Sequence, residues 1–416
     1  MSTMGELRRI YLDNAATSFP KPASVLEAMT RYATEVGSSA RGVYAEARQA
    51  GAMVDACRAS LARLLGCASA RHVVFTLNCS DAMNLAVHGA LGAWRRGQAD
   101  EGRTPHVVAS ALDHNSFLRP LHMLADRGEI KLTLVGFDPA SGQIDPDEVV
   151  RAIGRDTALV ALLHSSNVTG VVQPLGPIGR ACRERGVLFV VDAAQSAGHT
   201  RVEMDELHAD LLCVAGHKGL LGPTGTGALL IRPGVEHRLE TTRQGGTGSR
   251  YELDRQPEEL PEKYEPGSHN TIGIVGLGAG VDWLLDHGVE RIGAHERQLG
   301  ELMVSMLNAD DCPGLALLGP RDLSSRLGVY SFVHEAIEPQ ALAMELEMRF
   351  GVLGRAGLHC APLAHRAMGT AGDAARLGAF RLSLGAFVSE DEVRAACEGI
   401  RTICRERAAL LSRSSV

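Results

Sequence analysis

Short apolar runs that each end in a polar cluster recur through the middle of the chain. They are HVVASALDHN (106–115), ALVALLHSSN (158–167), VLFVVDAAQ (187–195), DLLCVAGHK (210–218) and GALLIR (227–232). Continuous apolar runs without alternation suit strands buried on both faces, as in a parallel sheet covered by helices. The stretches between them fit crossover helices, Pro177–Arg185 among them, and right-handed units of this kind build an open α/β sheet. Residues 75–91, FTLNCSDAMNLAVHGAL, read as a strand, a turn and a helix that begins near Ser80, with Ser80 as its cap. The segment 242–268 is polar and rich in Gly and Pro, which predicts a long excursion in the form of a hairpin. Beyond it, Leu299, Leu302, Met303, Met306 and Leu307 mark one face of an amphipathic helix. Ser389 and Glu392 have the spacing of a capping box ahead of Val393, Ala396, Cys397 and Ile400. Cys397 and Cys404 share that stripe and read as core. The change of pattern predicts a large α/β domain over 16–285 and a smaller α+β domain from 1–15 and 286–416.

Size and charge narrow the picture. A chain of 416 residues is long enough for two compact units. Its charge, 42 − 49 = −7, comes without a basic run, so nucleic acid is not an expected partner. No stretch approaches the roughly 20 apolar residues of a membrane span, and no apolar segment of the secretory type is seen near residue 1. The nine cysteines form no CxxC pair and read as reduced thiols. These features predict a cytoplasmic location with no membrane association.

Ligands of open α/β sheets collect beyond the carboxyl ends of the strands. Here those ends carry Asp113-His114-Asn115, Ser165-Ser166-Asn167, Asp192 with Gln195, and His217-Lys218. That inventory meets the needs of pyridoxal 5′-phosphate (PLP). A lysine forms the Schiff base with its aldehyde, and a carboxylate keeps the pyridine nitrogen protonated so that the ring accepts electrons. A donor near the phenolic oxygen and a flat group over the ring complete the set. Lys218, Asp192, Gln195 and His114 fill these roles in turn. The phosphate wants a helix N-terminus and hydroxyls, which the amides of Cys79 and Ser80 and the Ser80 hydroxyl supply. Each residue alone has a plainer reading, as a helix cap or a solvated loop end; their convergence favours the cofactor. The glycines of GPTGTG (222–227) do not make a dinucleotide site, because they lead into a strand instead of opening a helix.

The order NAAT (14–17), SDAMN (80–84), HN (114–115), SNVTG (166–170), VDAAQS (191–196), GHKGLLGPTGTG (216–227), RAGLHC (355–360) and FRLS (380–383) resembles the class V, fold-type I PLP enzymes. Within them it is similar to the cysteine desulfurase and selenocysteine lyase group, in its group II form. The separation of Asp192 and Lys218, 218 − 192 = 26 residues, is characteristic of the class, and RAGLHC of the subgroup. The resemblance implies a mostly parallel central sheet covered by helices, with a smaller C-terminal domain. It makes Lys218 the Schiff-base lysine, Asp192 the pyridinium partner, Gln195 the phenolic-oxygen donor and His114 the stacking acid/base. Ser80 and His217 become phosphate contacts, Asn167 a neighbour of cofactor and substrate, Arg381 the clamp on the substrate carboxylate, and Arg355 a pocket residue. Ser268, in EPGSHNT, corresponds to a phosphate ligand given to the other subunit, which implies a homodimer with shared sites.

The activity implied is conversion of L-cysteine to L-alanine, with sulfur captured by Cys360 as a persulfide and passed to an acceptor protein. On this reading Lys218 shuttles the α-proton, and Arg355 and His359 favour the Cys360 thiolate. A free Cys is usually a small buried hydrophobe, but the Gly- and Pro-flanked GLHCAPL is loop-like. Two positions depart from the pattern. Tyr44 stands where relatives often carry a substrate-side histidine, and Ala215 where many carry a phosphate-binding serine, a loss for which backbone amides or Thr247 would compensate. The alternatives are a selenocysteine lyase or cysteine sulfinate desulfinase, a class V transaminase or epimerase that does not use Cys360, and a sulfur carrier without turnover.

Overall fold

The apolar runs become strands of one sheet in the computed structural model, which describes residues 7–39, 41–97, 102–250, 252–372 and 377–414. In chain order the strands are β1 (Ile10–Tyr11), β2 (Val73–Thr76), β3 (His106–Ser110), β4 (Lys131–Val135), β5 (Thr157–Leu163), β6 (Leu188–Asp192), β7 (Leu211–Ala215), β8 (Gly227–Ile231), β9 (Leu315–Leu317), β10 (Val329–His334), β11 (Val352–Leu353), β12 (Arg355–Gly357) and β13 (Ala379–Ser383). The large sheet has the order β2-β8-β7-β6-β5-β3-β4, and only β8 runs against the rest. β4 is an edge strand interrupted by Lys131 and Thr133, and for that reason it was absent from the apolar runs.

The helices are α1 (Ala23–Arg31), α2 (Ala45–Leu65), α3 (Cys79–Gly97), α4 (Asn115–Asp126), α5 (Pro146–Ala152), α6 (Leu175–Glu184), α7 (Thr271–His287), α8 (Val289–Met306), α9 (Pro339–Phe350), α10 (Pro362–Ala367) and α11 (Glu390–Ser414). They cover the sheet on both sides. Val73, Phe75, Val108, Val160, Leu162, Val191 and Leu230 pack with α2, α6 and α7. The alternate residues, Val74, Val107, Leu159, Ala161, Val190 and Leu229, pack with α3 and α4. That double burial is why the strands show no polar alternation.

A further core joins α8, α9 and α11 to an antiparallel sheet of order β12-β13-β10-β9. Cys397 and Cys404 are fully buried in it, and Ile10 and Leu12 join it from the beginning of the chain, where β1 pairs with β11. The Ser389–Glu392 capping box forms in both directions, Ser389 Oγ accepting from Glu392 N at 3.3 Å and Glu392 Oε2 from Ser389 N at 2.9 Å.

The excursion 242–268 forms no hairpin among the described residues. Its glycines and prolines break any strand period, and side chains hold it instead. The buried Arg58–Glu265 pair, at 2.5–2.7 Å, ties its end to α2, and Glu265 also accepts from Phe75 N at 2.6 Å. No single helix among the described residues is long and apolar enough to cross a membrane.

Candidate active site

Because β2, β3, β5, β6 and β7 are parallel, their carboxyl ends open on one edge of the sheet. The strand order reverses at β3, with β4 on one side and β5 on the other, which is where open α/β sheets hold ligands. A cavity of about 390 Å³ lies there, lined by Cys79, Ser80, His114, Asn167, Asp192, Gln195, Ala215, His217, Lys218, Arg355, His359, Cys360 and Arg381.

Lys218 follows β7 on a turn fastened to the chain's first loop. Ser18 Oγ donates to Lys218 O at 2.8 Å, while Thr17 Oγ1 and Lys21 Nζ donate to His217 O at 3.0 and 2.9 Å. Burial lowers the Lys218 pKa, opposed by Asp192 and reinforced by Arg381 and Arg355. A lowered lysine has more of the neutral amine that attacks a carbonyl. Asp192 ends β6. Burial raises its pKa, and donors to Oδ1 counter this: Ala194 N at 2.8 Å and Cys79 Sγ at 3.7 Å. Both donors are on Oδ1, so Oδ2 has none among the described residues.

His114 caps α4, its Nδ1 accepting from Ser116 N at 3.1 Å. Ser116 Oγ lies 2.8 Å from that same nitrogen and 2.6 Å from Ser80 Oγ. An accepting Nδ1 puts the ring proton on Nε2. Burial, then Lys218 and nearby arginines, push the His114 pKa down to about 4, so the ring is neutral. Ser80 does not cap α3. That role falls to Asn78, whose Oδ1 accepts from Asp81 N at 2.9 Å while Asp81 Oδ2 accepts from Leu77 N at 2.9 Å. The Asn78–Asp81 spacing, two positions upstream of the expected cap, was the overlooked signal. With the cap placed there, Cys79 and Ser80 fall in the first turn, where amides are free of partners within the helix. Gly227 opens β8 directly beside this turn; a Cβ on it would lie 2.5 Å from the carbonyl carbon of Asn78. Gly222 and Gly227 thus serve close backbone approach, and Gly225 a left-handed turn at φ 76°.

Gln195 donates from Nε2 to Ala15 O at 3.0 Å. Arg381, on β13 and almost fully buried, donates to Asp13 Oδ1 at 2.8 Å and to Asn167 O at 3.0 Å. Arg355 is its cross-strand partner on β12. Among the described residues, three buried polar atoms of cavity residues have no partner: Asn167 Oδ1, His217 Nδ1 and Arg381 Nε. Burial pushes the His217 pKa down to about 4.

Cys360 is exposed, and the other eight cysteines are buried. His359 and Cys360 both have left-handed backbone, at φ 50° and 57°, which costs roughly 1–2 kcal/mol per non-glycine residue. Neighbouring strand ends hold them: Asn115 N donates to Cys360 O at 2.9 Å, and Asn167 Nδ2 donates to His359 O. One expectation is corrected. Burial, with Arg381 and His365 next, pushes the His359 pKa down to about 2, so His359 is neutral and gives no charge to the thiolate; the cations beside the cavity are Arg355 and Arg381.

Other expected residues lie elsewhere. Asp113 is fully buried and accepts from Ser110 N, Ser110 Oγ and Leu163 N at 2.6–2.9 Å, a clasp between β3 and β5. Ser166 Oγ accepts from Val168 N and Thr169 N. Tyr44 is 56% exposed and bonds Ser38 Oγ at 3.0 Å, outside the cavity. Ser268 is also exposed and outside it, and Thr247 bonds only within its own loop, to Ser249. Asp13 and Ser116 were missed, since neither sits at a strand end. Among the described residues no group of acidic, His or Cys side chains is placed to hold a metal ion.

Comparison with known proteins places the chain in a family. The family model of aminotransferase class V matches residues 10–395. A probable cysteine desulfurase of Methanothermobacter thermautotrophicus is 32% identical, covering 95% of this chain and 94% of its own. One of Aeropyrum pernix is 35% identical over 88% of each chain. The solved apo cysteine desulfurase of Thermococcus onnurineus superposes with a TM-score of 0.86 at 31% identity, covering 96% and 95% of the two chains. The chain belongs to the class V aminotransferase family and, within it, to the cysteine desulfurases.

Proposed function

We propose that this protein converts L-cysteine to L-alanine with PLP held at Lys218, and that Cys360 takes the sulfur as a persulfide. The observation that carries the reading is the single exposed cysteine on the cavity that Lys218, Asp192 and Arg381 share. The partnerless polar atoms fit the cofactor and substrate: Asp192 Oδ2 for the pyridine nitrogen, His217 Nδ1 and the first turn of α3 for the phosphate, and Arg381 Nε for a carboxylate. Gln195 and His114 would flank the ring, and Asn167 Oδ1 would meet its substituents. Ala215 adds no hydrogen bond there. When bound, PLP supplies an electron sink for the bonds at the substrate α-carbon.

The chain's own groups do the rest. Arg381 and Arg355 bind the substrate carboxylate; Arg381, packed and anchored by Asp13 and the Asn167 carbonyl, fixes its direction. The lowered pKa of Lys218 suits it to carry the α-proton at Nζ. His114, neutral with its proton on Nε2, offers a hydrogen-bond donor without charge. The Cys360 thiolate attacks the substrate sulfur. A sulfur–sulfur bond forms, the carbon–sulfur bond breaks, and its electron pair remains with the carbon skeleton, which leaves as alanine after protonation.

The same reading includes a homodimer, since Ser268 and Tyr44 lie exposed outside their own cavity where a second copy would meet them. It also includes a sulfur-acceptor protein, a cytoplasmic location, and the division into a large domain over 16–285 and a small one from 1–15 and 286–416. The separate core around α8, α9 and α11 supports that division; residues 1–6 lie outside the described residues. Incubation with L-cysteine followed by peptide mass analysis should show one added sulfur atom on the Cys360 peptide, absent in Cys360→Ala. Unchanged alanine formation by Cys360→Ala would sink the persulfide route.

A further inference from the structure

Behind Cys360 lies a run of side chains that the reaction above does not use. His359 Nε2 is 3.3 Å from Arg355 O, His359 Nδ1 is 3.3 Å from His365 Nε2, and His365 Nδ1 is 2.7 Å from Thr370 Oγ1. His365 is fully buried in α10 and His359 nearly so. A carbonyl oxygen only accepts, so the His359 proton must be on Nε2. His359 Nδ1 is then an acceptor, which requires the proton of His365 on its Nε2. That leaves His365 Nδ1, at 2.7 Å, to accept from the Thr370 hydroxyl, whose other acceptor is the more distant His365 carbonyl at 3.2 Å. One end condition therefore orients both rings. Burial favours the neutral rings that this pattern needs, holding His359 near pKa 2 and His365 near 4.

We propose that His365 and Thr370 are positioning residues for Cys360, acting through an oriented hydrogen-bond chain from Thr370 through His365 and His359 to the Arg355 carbonyl. The proposal rests on Cys360 as the sulfur-accepting nucleophile. The two left-handed residues place Cys360 at the mouth of the cavity, and such a backbone persists only where its surroundings over-determine it. Asn115 and Asn167 grip the carbonyls of Cys360 and His359 from the large sheet. The chain grips the His359 ring from the other side, and it joins β12 to α10 across the loop. Thr370 is fixed in turn, donating from N to His365 O at 2.8 Å and accepting at its own O from Gly378 N at 2.7 Å. A loop held from both sides needs no closing movement before attack.

The test uses PLP-loaded protein. Thr370→Val and His365→Phe should slow single-turnover formation of the Cys360 persulfide on the order of 10- to 100-fold, as for a misplaced reacting atom. KM for cysteine and the cofactor absorbance should stay within about twofold, since substrate and cofactor partners are untouched. Thr370→Ser should restore most of the rate, and His365→Gln, which returns a donor toward His359, part of it. Parent-like rates in Thr370→Val and His365→Phe would overturn the proposal, as would equal loss in Thr370→Ser. Should a variant not fold, 15N imidazole shifts of the parent protein decide: both rings must be neutral with the proton on Nε2, and a proton on Nδ1 of either overturns the chain. Cys360→Ala separates the two readings, because alanine formation unaffected by it removes the nucleophile, whereas parent-like positioning variants remove only the chain.

Discussion

Arg381 has three uses for one guanidinium. It donates to Asp13 and to the Asn167 carbonyl, and its Nε is buried without a partner among the described residues. A lysine has a single nitrogen and cannot reproduce that fork. Arg381→Lys should therefore raise KM for cysteine and lower kcat/KM by on the order of 10- to 100-fold, the loss of one or two charge-assisted bonds of about 1.5–3 kcal/mol. Steady-state kinetics checks this, and an unchanged KM would refute the clamp. The roles proposed for Lys218 and Asp192 were legible because each chemistry needs one residue type at a strand end. The neutrality of His359 was not, because it comes from burial and then from Arg381 and His365, which only folding packs around the ring.

At the scale of elements, α3 shows how backbone approach shapes a site. Its first turn faces the cavity because Asn78 stops the helix two residues before Ser80, and β8 passes Asn78 with no room for a methyl group. Gly227→Ala should displace that turn and weaken the cofactor's hold by several-fold, read by equilibrium dialysis of PLP against apo protein. An unchanged affinity would mean that the turn does not bear on the phosphate. The strands themselves were legible from their apolar runs, with both faces covered. The hairpin expected at 242–268 was not formed, since composition marks where a chain leaves the sheet and says little about what then holds it. There the tether is the Arg58–Glu265 pair, between residues 207 positions apart.

For the whole molecule, buried histidines set a pH response. Burial holds His164 and His365 near pKa 4 and His359 near 2, whereas in the unfolded chain each titrates near 6.5. Between those values the unfolded state binds more protons, so their stabilising contribution is full above about pH 6.5 and is lost as pH falls through the window. Asp113, raised to about 7 by burial, acts with the opposite sign and offsets part of it. Each buried histidine contributes a slope of up to about 1.4 kcal/mol per pH unit. Urea unfolding at pH 7 and pH 5 should show a smaller loss for His164→Gln than for the parent. Equal losses would show that His164 protonates freely in the folded protein.

The amino-acid sequence by itself determined the mostly parallel sheet, the Ser389–Glu392 capping box and the strand-end residues that gather at the cavity. Those depend on local period and on residue types that only certain chemistry requires. Tertiary structure alone decided which strand-end groups face the cavity, and so that Asp113 and Ser166 clasp the backbone while Asp192 keeps an oxygen free. It also decided the charge and proton position of each histidine, because desolvation and hydrogen-bond direction are set by neighbours from distant parts of the chain. Cys360 belongs to both: its motif named it, and its two-sided grip between the sheet and α10 gave it a place from which to react.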